Sequence, residues 1–205
     1  MAKAKPFIKW VGGKGQLIEQ IEELLPADFD EWKDVTYIEP FVGGGAIMFH
    51  MLQSHPNIKK AVINDINADL ISCYKVVRDK PQLLINSLKT IQDEYYSLDT
   101  VEEKKECYLR KRETFNTAEL DEVQRSTLLI FLNRTCFNGL FRVNKSGMFN
   151  VPFGRNLIPT ICNADTILND SRILKRVDIL TGDFEGTLKY AIGKHYSILT
   201  LLIAP

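Results

Sequence analysis

Three consecutive glycines, Gly43–Gly45, stand between a strand-like VTYIE (35–39) and a helix-like AIMFHML (46–52), and Asp65 lies 22 residues beyond Gly43. A glycine turn lets backbone approach a ligand where side chains would clash, and the helix that follows turns its free amides outward. An acid about 20 residues further on, at the end of the next strand, can accept hydrogen bonds from both hydroxyls of a ribose. The pair points to an adenosine-containing ligand; the alternative is a tight strand-to-helix turn with Asp65 capping the next helix. Ala46 and Ile47 fill the second half of the turn, so it lacks GxGxxG, which favours a smaller nucleoside cofactor over a nicotinamide dinucleotide. A second glycine element, KWVGGKGQL (9–17), puts Trp10 and Lys14 at a helix entrance. Trp10 suits a purine or a cofactor edge, or else packs under the chain terminus. Lys14 precedes Gly15 and Gln16 with no Ser or Thr, which disfavours a phosphate loop for NTP hydrolysis.

The chain has 205 residues, 26 basic and 26 acidic, and a zero sum gives no reason to expect nucleic acid. The distribution of those charges does. No Asp or Glu occurs between Glu122 and Asp165, a window that holds Arg125, Arg134, Arg142, Lys145 and Arg155; Lys3, Lys5, Lys9 and Lys14 precede the first acid, Glu19. The same window carries Phe137, Asn138, Phe141, Asn144, Phe149 and Asn150. Guanidinium groups read guanine edges or pair with phosphate, Asn amides read adenine, and aromatic rings stack on or wedge between bases. The window is a DNA-facing surface or, alternatively, an acid-poor loop that packs its aromatics on the core and solvates its arginines.

Apolar residues at 17, 18, 21, 24 and 25 predict one helix over 14–25, ended by Pro26. Strands at 35–39 and 59–64 alternate with helices at 46–52 and 67–78, the grammar of a parallel sheet. From Pro81 to Asn133 the pattern is helical throughout, which reads as an inserted helical subdomain; 133–160 reads as a long structured loop or hairpin. Beyond it, 165–176 is helix-like, 177–183 strand-like, 184–193 helix-like, and HYSILTLLI (195–203) begins another core strand. Composition is that of a soluble globular protein, 45% hydrophobic and 25% charged. Four cysteines, Cys73, Cys107, Cys136 and Cys162, lack the close pairs of metal or redox motifs, and with no export signal or bilayer-spanning run the expectation is a reduced, cytoplasmic chain.

Five stretches in order, FIKWVGGKGQL (7–17), EPFVGGGA (39–46), NDIN (64–67), NRTCFNGLFRVNKSGMFNVPFG (133–154) and TGDF (181–184), resemble the Dam-type DNA adenine methyltransferases of bacteria and phages. The resemblance runs through essentially all of residues 5–196. It implies an α/β, Rossmann-like methyltransferase sheet with an inserted, mainly helical target-recognition domain. Residues 1–79 and 165–205 would form the S-adenosylmethionine-binding catalytic lobe, and 80–164 the recognition domain with its hairpin at 133–156. Trp10, Lys14, Phe41, Gly43, Gly45, Asp65 and Asp183 would surround the cofactor. Phe137 would enter the base stack, Leu140, Arg142, Asn144 and Pro152 would meet the recognition sequence, and Arg134, Asn138 and Arg155 would add to the DNA surface. Lys9 would approach DNA from the cofactor side. The activity implied is methyl transfer from S-adenosylmethionine to the exocyclic amine of an adenine flipped out of duplex DNA, within GATC, by a monomer with no metal and no membrane association, alongside a cognate restriction endonuclease where such an enzyme serves restriction–modification. Thr135-Cys136-Phe137 departs from the Tyr-Gly-Tyr of many relatives, which bears on GATC more than on DNA.

The family's Asp-Pro-Pro-Tyr motif, which holds the target amine and stacks on the flipped base, is expected shortly after TGDF and does not occur in the sequence. GKHYSILTLLIAP (193–205) arrives in its place, as a change of reading frame after about Ser197 would produce. The expectation is therefore a truncated, inactive chain with no catalytic residue of its own; the alternative is a non-catalytic, sequence-specific DNA-binding fragment. A nucleotide-binding metabolic enzyme, the third reading, leaves the hairpin match unexplained.

Overall fold

The computed structural model describes residues 3–191 and the strand His195–Ser197. Residues 198–205, on which the expected core strand and frame change also depend, lie outside the described residues. Four parallel strands, β1 (Val35–Glu39), β2 (Ile58–Asp65), β3 (Val177–Thr181) and β4 (His195–Ser197), form a sheet of order β3-β2-β1-β4. Thr36 pairs with Lys60 on one side and His195 on the other, and Ala61 pairs with Val177. Val35, Tyr37, Ile38, Ala61, Val62 and Ile63 are all buried, as befits strands covered on both faces. The strand order reverses beside β1, so a crevice opens at the carboxyl end of β1, where open parallel sheets bind ligands.

The strand-to-helix units are α2 (Ala46–Ser54) after β1 and α3 (Ala68–Asp79) after β2, with Asn67 capping α3 through Leu70 N–H. The helical stretch resolves into α4 (Pro81–Tyr96), α5 (Val101–Thr117) and α6 (Glu122–Thr135), and α7 (Ala164–Leu174) leads back to β3. Reciprocal capping boxes, Thr100 with Glu103 and Asp121 with Gln124, start α5 and α6. Every residue of α6 from Ser126 to Asn133 is buried, the mark of a helix enclosed on all sides. It packs against α3, α4 and α5, so one contiguous apolar core joins the sheet to the inserted helices.

Two expected helices are tighter than expected. Residues 14–25 divide into a 3-10 turn, Lys14–Leu17, and a short α1, Ile18–Glu23, fastened to α2 by His50 and to its C-cap by His55, both on Glu22. Residues 184–190 form a 3-10 helix around Gly186. In each case a glycine lowers α-helical propensity, and in the first the buried Lys14 ammonium is drawn inward to Glu39. The segment 136–163 has no regular ladder; it doubles back through isolated antiparallel bridges at Cys136–Phe153 and Val143–Phe149.

Among the described residues, 4–9 pair with no strand, and side chains take its place. Gln53 bonds both polar groups of Ala4, Asp170 accepts from Lys5 N–H at 3.0 Å, Arg134 donates to Phe7 O at 2.6 Å, and Asn133 bonds both polar groups of Lys9. Asp170 is fully buried with Oδ2 unpartnered, and burial pushes its carboxyl up to about 8. Between the unfolded value near 3.8 and about 8 the folded protein holds a proton that the unfolded chain releases, so this group lowers stability as pH rises through that window. Asp170→Asn keeps an acceptor for Lys5 and cannot ionise. It should unfold later than wild type at about pH 8, by roughly 1–3 kcal/mol, with the difference closing toward about pH 4. A difference in denaturant midpoints independent of pH would contradict the assignment.

Candidate cofactor pocket and nucleic-acid interface

The turn after β1 is built by contacts that need its glycines. Gly45, at φ +76°, caps α2 in the left-handed region, and a Cβ there would stand 2.5 Å from Tyr74 Oη. Tyr74 in turn donates to Gly43 O at 2.9 Å. A Cβ on Gly43 would stand 3.0 Å from Trp10 Cδ1, so the indole lies directly on the turn. On the strand side, buried Glu39 receives Lys14 Nζ at 3.1 Å and Tyr37 Oη at 2.7 Å, and Lys14 Nζ also donates to Phe41 O. Burial raises the Glu39 carboxyl despite the lowering effect of Lys14 and these hydrogen bonds. Lys14 therefore shapes the turn from below; its charge is already committed.

Asp65 joins this turn to the next. Its Oδ2 accepts from Gly43 N–H at 3.1 Å and its Oδ1 from Asn67 N–H at 2.9 Å. The cap of α3 is Asn67, so Asp65 spans the carboxyl ends of β1 and β2 in place of the capping role. A carboxylate has about four lone-pair sites, and two remain for a ligand. Trp10, Lys14, Phe41, Gly43, Gly45 and Asp65 line one cavity of about 320 Å³, together with Pro6, Lys9 and Arg134. That volume suits a nucleoside-sized ligand. Asp183 stands apart from this lining, exposed after β3, where its Oδ1 accepts from Glu185 N–H.

Three residues contribute with no charge, period or spacing of their own to mark them in the sequence. Asn64, closing an apolar strand, donates to Pro40 O at 3.1 Å and Gly182 O at 2.9 Å, and so ties the ends of β1 and β3 to β2. Ile66, 78% exposed beside Asp65, and Phe184, whose ring lies 5.7 Å from that of Phe41, leave apolar surface at the rim. Their sequence mark is only membership of NDIN (64–67) and TGDF (181–184).

The basic window separates into structural and surface groups. Arg125 pairs with Asp69, its Nη2 at 2.9 Å, and lies 4.3 Å over the Phe115 ring. Arg134 is drawn into the cavity wall, where burial lowers its pKa, and its Nε has no hydrogen-bond partner. Among the described residues, Lys9, Arg142, Lys145 and Arg155 form no ion pair. Phe137 is 50% exposed at the start of a 3-10 turn, Phe137–Gly139, in which Asn138 and Gly139 have φ of 55° and 66°. Phe137 N–H donates to Pro152 O at 2.9 Å, and Gly154 passes so close to Cys136 O that a Cβ would meet it at 2.3 Å. Leu140 packs half-buried on the core. Arg142 is steadied by Asn150, Nε to Oδ1 at 2.8 Å, while Asn144 spends its Oδ1 on the N–H groups of Ser146 and Met148 and, among the described residues, its amide hydrogens on none. Arg155 is exposed. Lys9, 130 residues before Gly139, packs against it.

Gly45→Ala should cost about 2–4 kcal/mol in chemical unfolding, through the left-handed backbone and the clash with Tyr74, while Gly186→Ala, with open space around it, should be nearly neutral. Equal unfolding midpoints for the two variants would refute this account of the turn.

The sequence profile of the D12 class N6 adenine-specific DNA methyltransferases matches residues 10–196. The Type II methyltransferase M.MjaIII of Methanocaldococcus jannaschii is 51% identical over 196 residues, 95% of this chain and 67% of that protein. The Type II methyltransferase M1.LlaDCHI of Lactococcus lactis is 38% identical, over 91% of this chain and 61% of its own length. The DNA adenine methylase of Serratia marcescens is 37% identical, over 76% of this chain and 51% of its own. The matched part thus spans about one half to two thirds of these relatives. The glycine turn, Asp65 and the exposed Phe137 segment all lie within the matched region, and the chain belongs to the D12 class N6 adenine-specific DNA methyltransferase family.

Proposed function

We propose that residues 3–191 form the S-adenosylmethionine pocket and the DNA-reading surface of an enzyme that methylates the exocyclic amine of adenine within GATC. The observation that carries this reading is the shared wall. Trp10 lines the cavity on the glycine turn, and its ring stacks at 5.2 Å on Phe141, which belongs to the segment bearing Phe137 and Arg142. A base flipped beside Phe137 would therefore emerge next to the cavity, as chemistry on a stacked base requires.

The pocket's groups fit the cofactor. Asp65 offers its remaining lone pairs to the ribose hydroxyls, and Ile66, Phe41 and Phe184 offer apolar surface to the purine. Asp183, next to Phe184 but outside the cavity lining, faces the purine from beyond that rim in this reading. When bound, S-adenosylmethionine supplies an electrophilic methyl group on sulfur. The chain's own work is positioning, with a cradle already fixed by Tyr74, Lys14 and Trp10. On the DNA side, Phe137 fills the gap left by the flipped base, Arg142 is preset for a guanine edge, and Leu140, Asn144 and Pro152 meet the neighbouring bases. Lys9, Asn138 and Arg155 reach phosphate or base edges. Arg134, held on Phe7 O in the pocket wall, supports the DNA side through the fold. The helices α4–α6 with 136–163 act as the recognition domain, and the names of the two Type II relatives favour a role beside a restriction endonuclease.

Asp-Pro-Pro-Tyr does not occur in the sequence, so binding and turnover are separable in this chain. Filter binding should give a preference for GATC duplex over scrambled duplex of about 10-fold or more, with affinity falling steeply as salt rises. Labelled S-adenosylmethionine should leave no methyl group on either duplex. Equal binding to both duplexes overturns the GATC assignment, loss of all duplex binding overturns the DNA reading, and turnover overturns the inactivity.

A further inference from the structure

Asn133 lies in the last turn of α6, 2% exposed, and holds two segments that are remote in sequence. Its Oδ1 accepts from Lys9 N–H at 2.9 Å, and its Nδ2 donates to Lys9 O and to Gly139 O, each at 2.8 Å. One buried amide thus grips both main-chain groups of a residue in the cavity wall and the closing carbonyl of the Phe137 turn. The fit between the segments is close, since a Cβ on Gly139 would stand 2.7 Å from Lys9 Cδ. A second contact runs parallel to the first, the stack of Trp10 on Phe141, interplanar angle 23°.

We propose that Asn133 is a positioning residue that couples the pocket to the recognition segment, so that a ligand bound at either raises affinity at the other. The inference rests on the functional reading above and adds the residue through which its two halves communicate. All three bonds of the amide are made in one mutual placement of Lys9 and the 137–139 turn. Any other placement leaves a buried polar group unpaired, which is costly. A ligand against Trp10 fixes the Lys9 side, and a duplex taking up Phe137 loads the Gly139 side. A single residue touches both, so no extended pathway between distant sites is invoked. Linkage requires the effect to be equal in both directions.

The test is a thermodynamic cycle on the full 205-residue chain, with S-adenosylhomocysteine and a short GATC duplex as probes. S-adenosylhomocysteine is titrated with and without saturating duplex, and the duplex with and without saturating S-adenosylhomocysteine. Wild type should show the same enhancement in both arms, about fivefold or more. Asn133→Asp keeps the acceptor for Lys9 N–H and loses both donors; it should hold each single-ligand affinity within about twofold while the enhancement falls toward one. Phe141→Leu, which removes the aromatic stack but keeps an apolar side chain, should also reduce the enhancement, and it carries the test if Asn133→Asp does not fold. Binding of both probes with no enhancement in wild type overturns the coupling alone. Enhancement retained in Asn133→Asp, or in Phe141→Leu where Asn133→Asp is unfolded, overturns it as well. Failure of wild type to bind either probe overturns the functional reading and the coupling together.

Discussion

The architecture of this chain depends on the turn Phe41–Gly45, whose glycines accept neighbours at distances that side chains forbid. Tyr74 reaches Gly43 O, Asp65 accepts Gly43 N–H, Lys14 holds Phe41 O, and Trp10 lies on Gly43. These partners come from α3, β2, the 3-10 turn before α1 and the N-terminal segment, so each wall of the cavity is referenced to one turn. Asn64 extends the same logic across the sheet by tying the carboxyl ends of β1 and β3. Polar groups placed where parallel strands end are satisfied by one another, and the apolar strands below them stay sealed. The crevice is therefore held by the chain's own contacts, which lowers the ordering cost of binding.

The second organising relation is between the inserted helices and that crevice. α6 is buried from Ser126 to Asn133, and its last turn supplies polar ties, Asn133 to Lys9 and Arg134 to Phe7. Arg125 anchors the other end of the helix to Asp69 on α3. From Trp10 a run of aromatic contacts, Phe141, Phe149 and Phe115, leads back to that same arginine, with successive ring separations of 5.2, 5.7 and 6.1 Å. This run of packing and ion pairing thus ties the segment that bears Phe137 to α5, α6 and α3. Phe137 stays exposed while its N–H is held by Pro152 O, which suits the wedge role proposed for it.

Much of this was legible in the sequence, for identifiable reasons. The strand, glycine turn and helix at 35–54, and the acid at Asp65, follow from periodicity and spacing that only backbone geometry imposes. The helical run from Pro81 to Asn133 was equally plain. Less was legible where side chains replace backbone partners. Residues 4–9 are satisfied by Gln53, Asp170, Arg134 and Asn133, an arrangement with no period to detect. Charge counting grouped Arg125 and Arg134 with the surface arginines, because one-dimensional spacing does not reveal Asp69 across the fold or a carbonyl at Phe7. The same limit applied to Asp65, whose two oxygens join two turns and leave the helix cap to Asn67.

The claim on which the functional account turns is that the cavity between the glycine turn and Asp65 receives an S-adenosyl ligand through its ribose. Calorimetric titration of the unaltered chain with S-adenosylhomocysteine, and with its analogue lacking both ribose hydroxyls, addresses that claim without perturbing the fold. One-to-one binding of the parent should weaken by about 10-fold or more in the analogue, since two hydrogen bonds to a carboxylate are lost. Equal affinities for the two compounds, or no binding of either, would contradict the assignment.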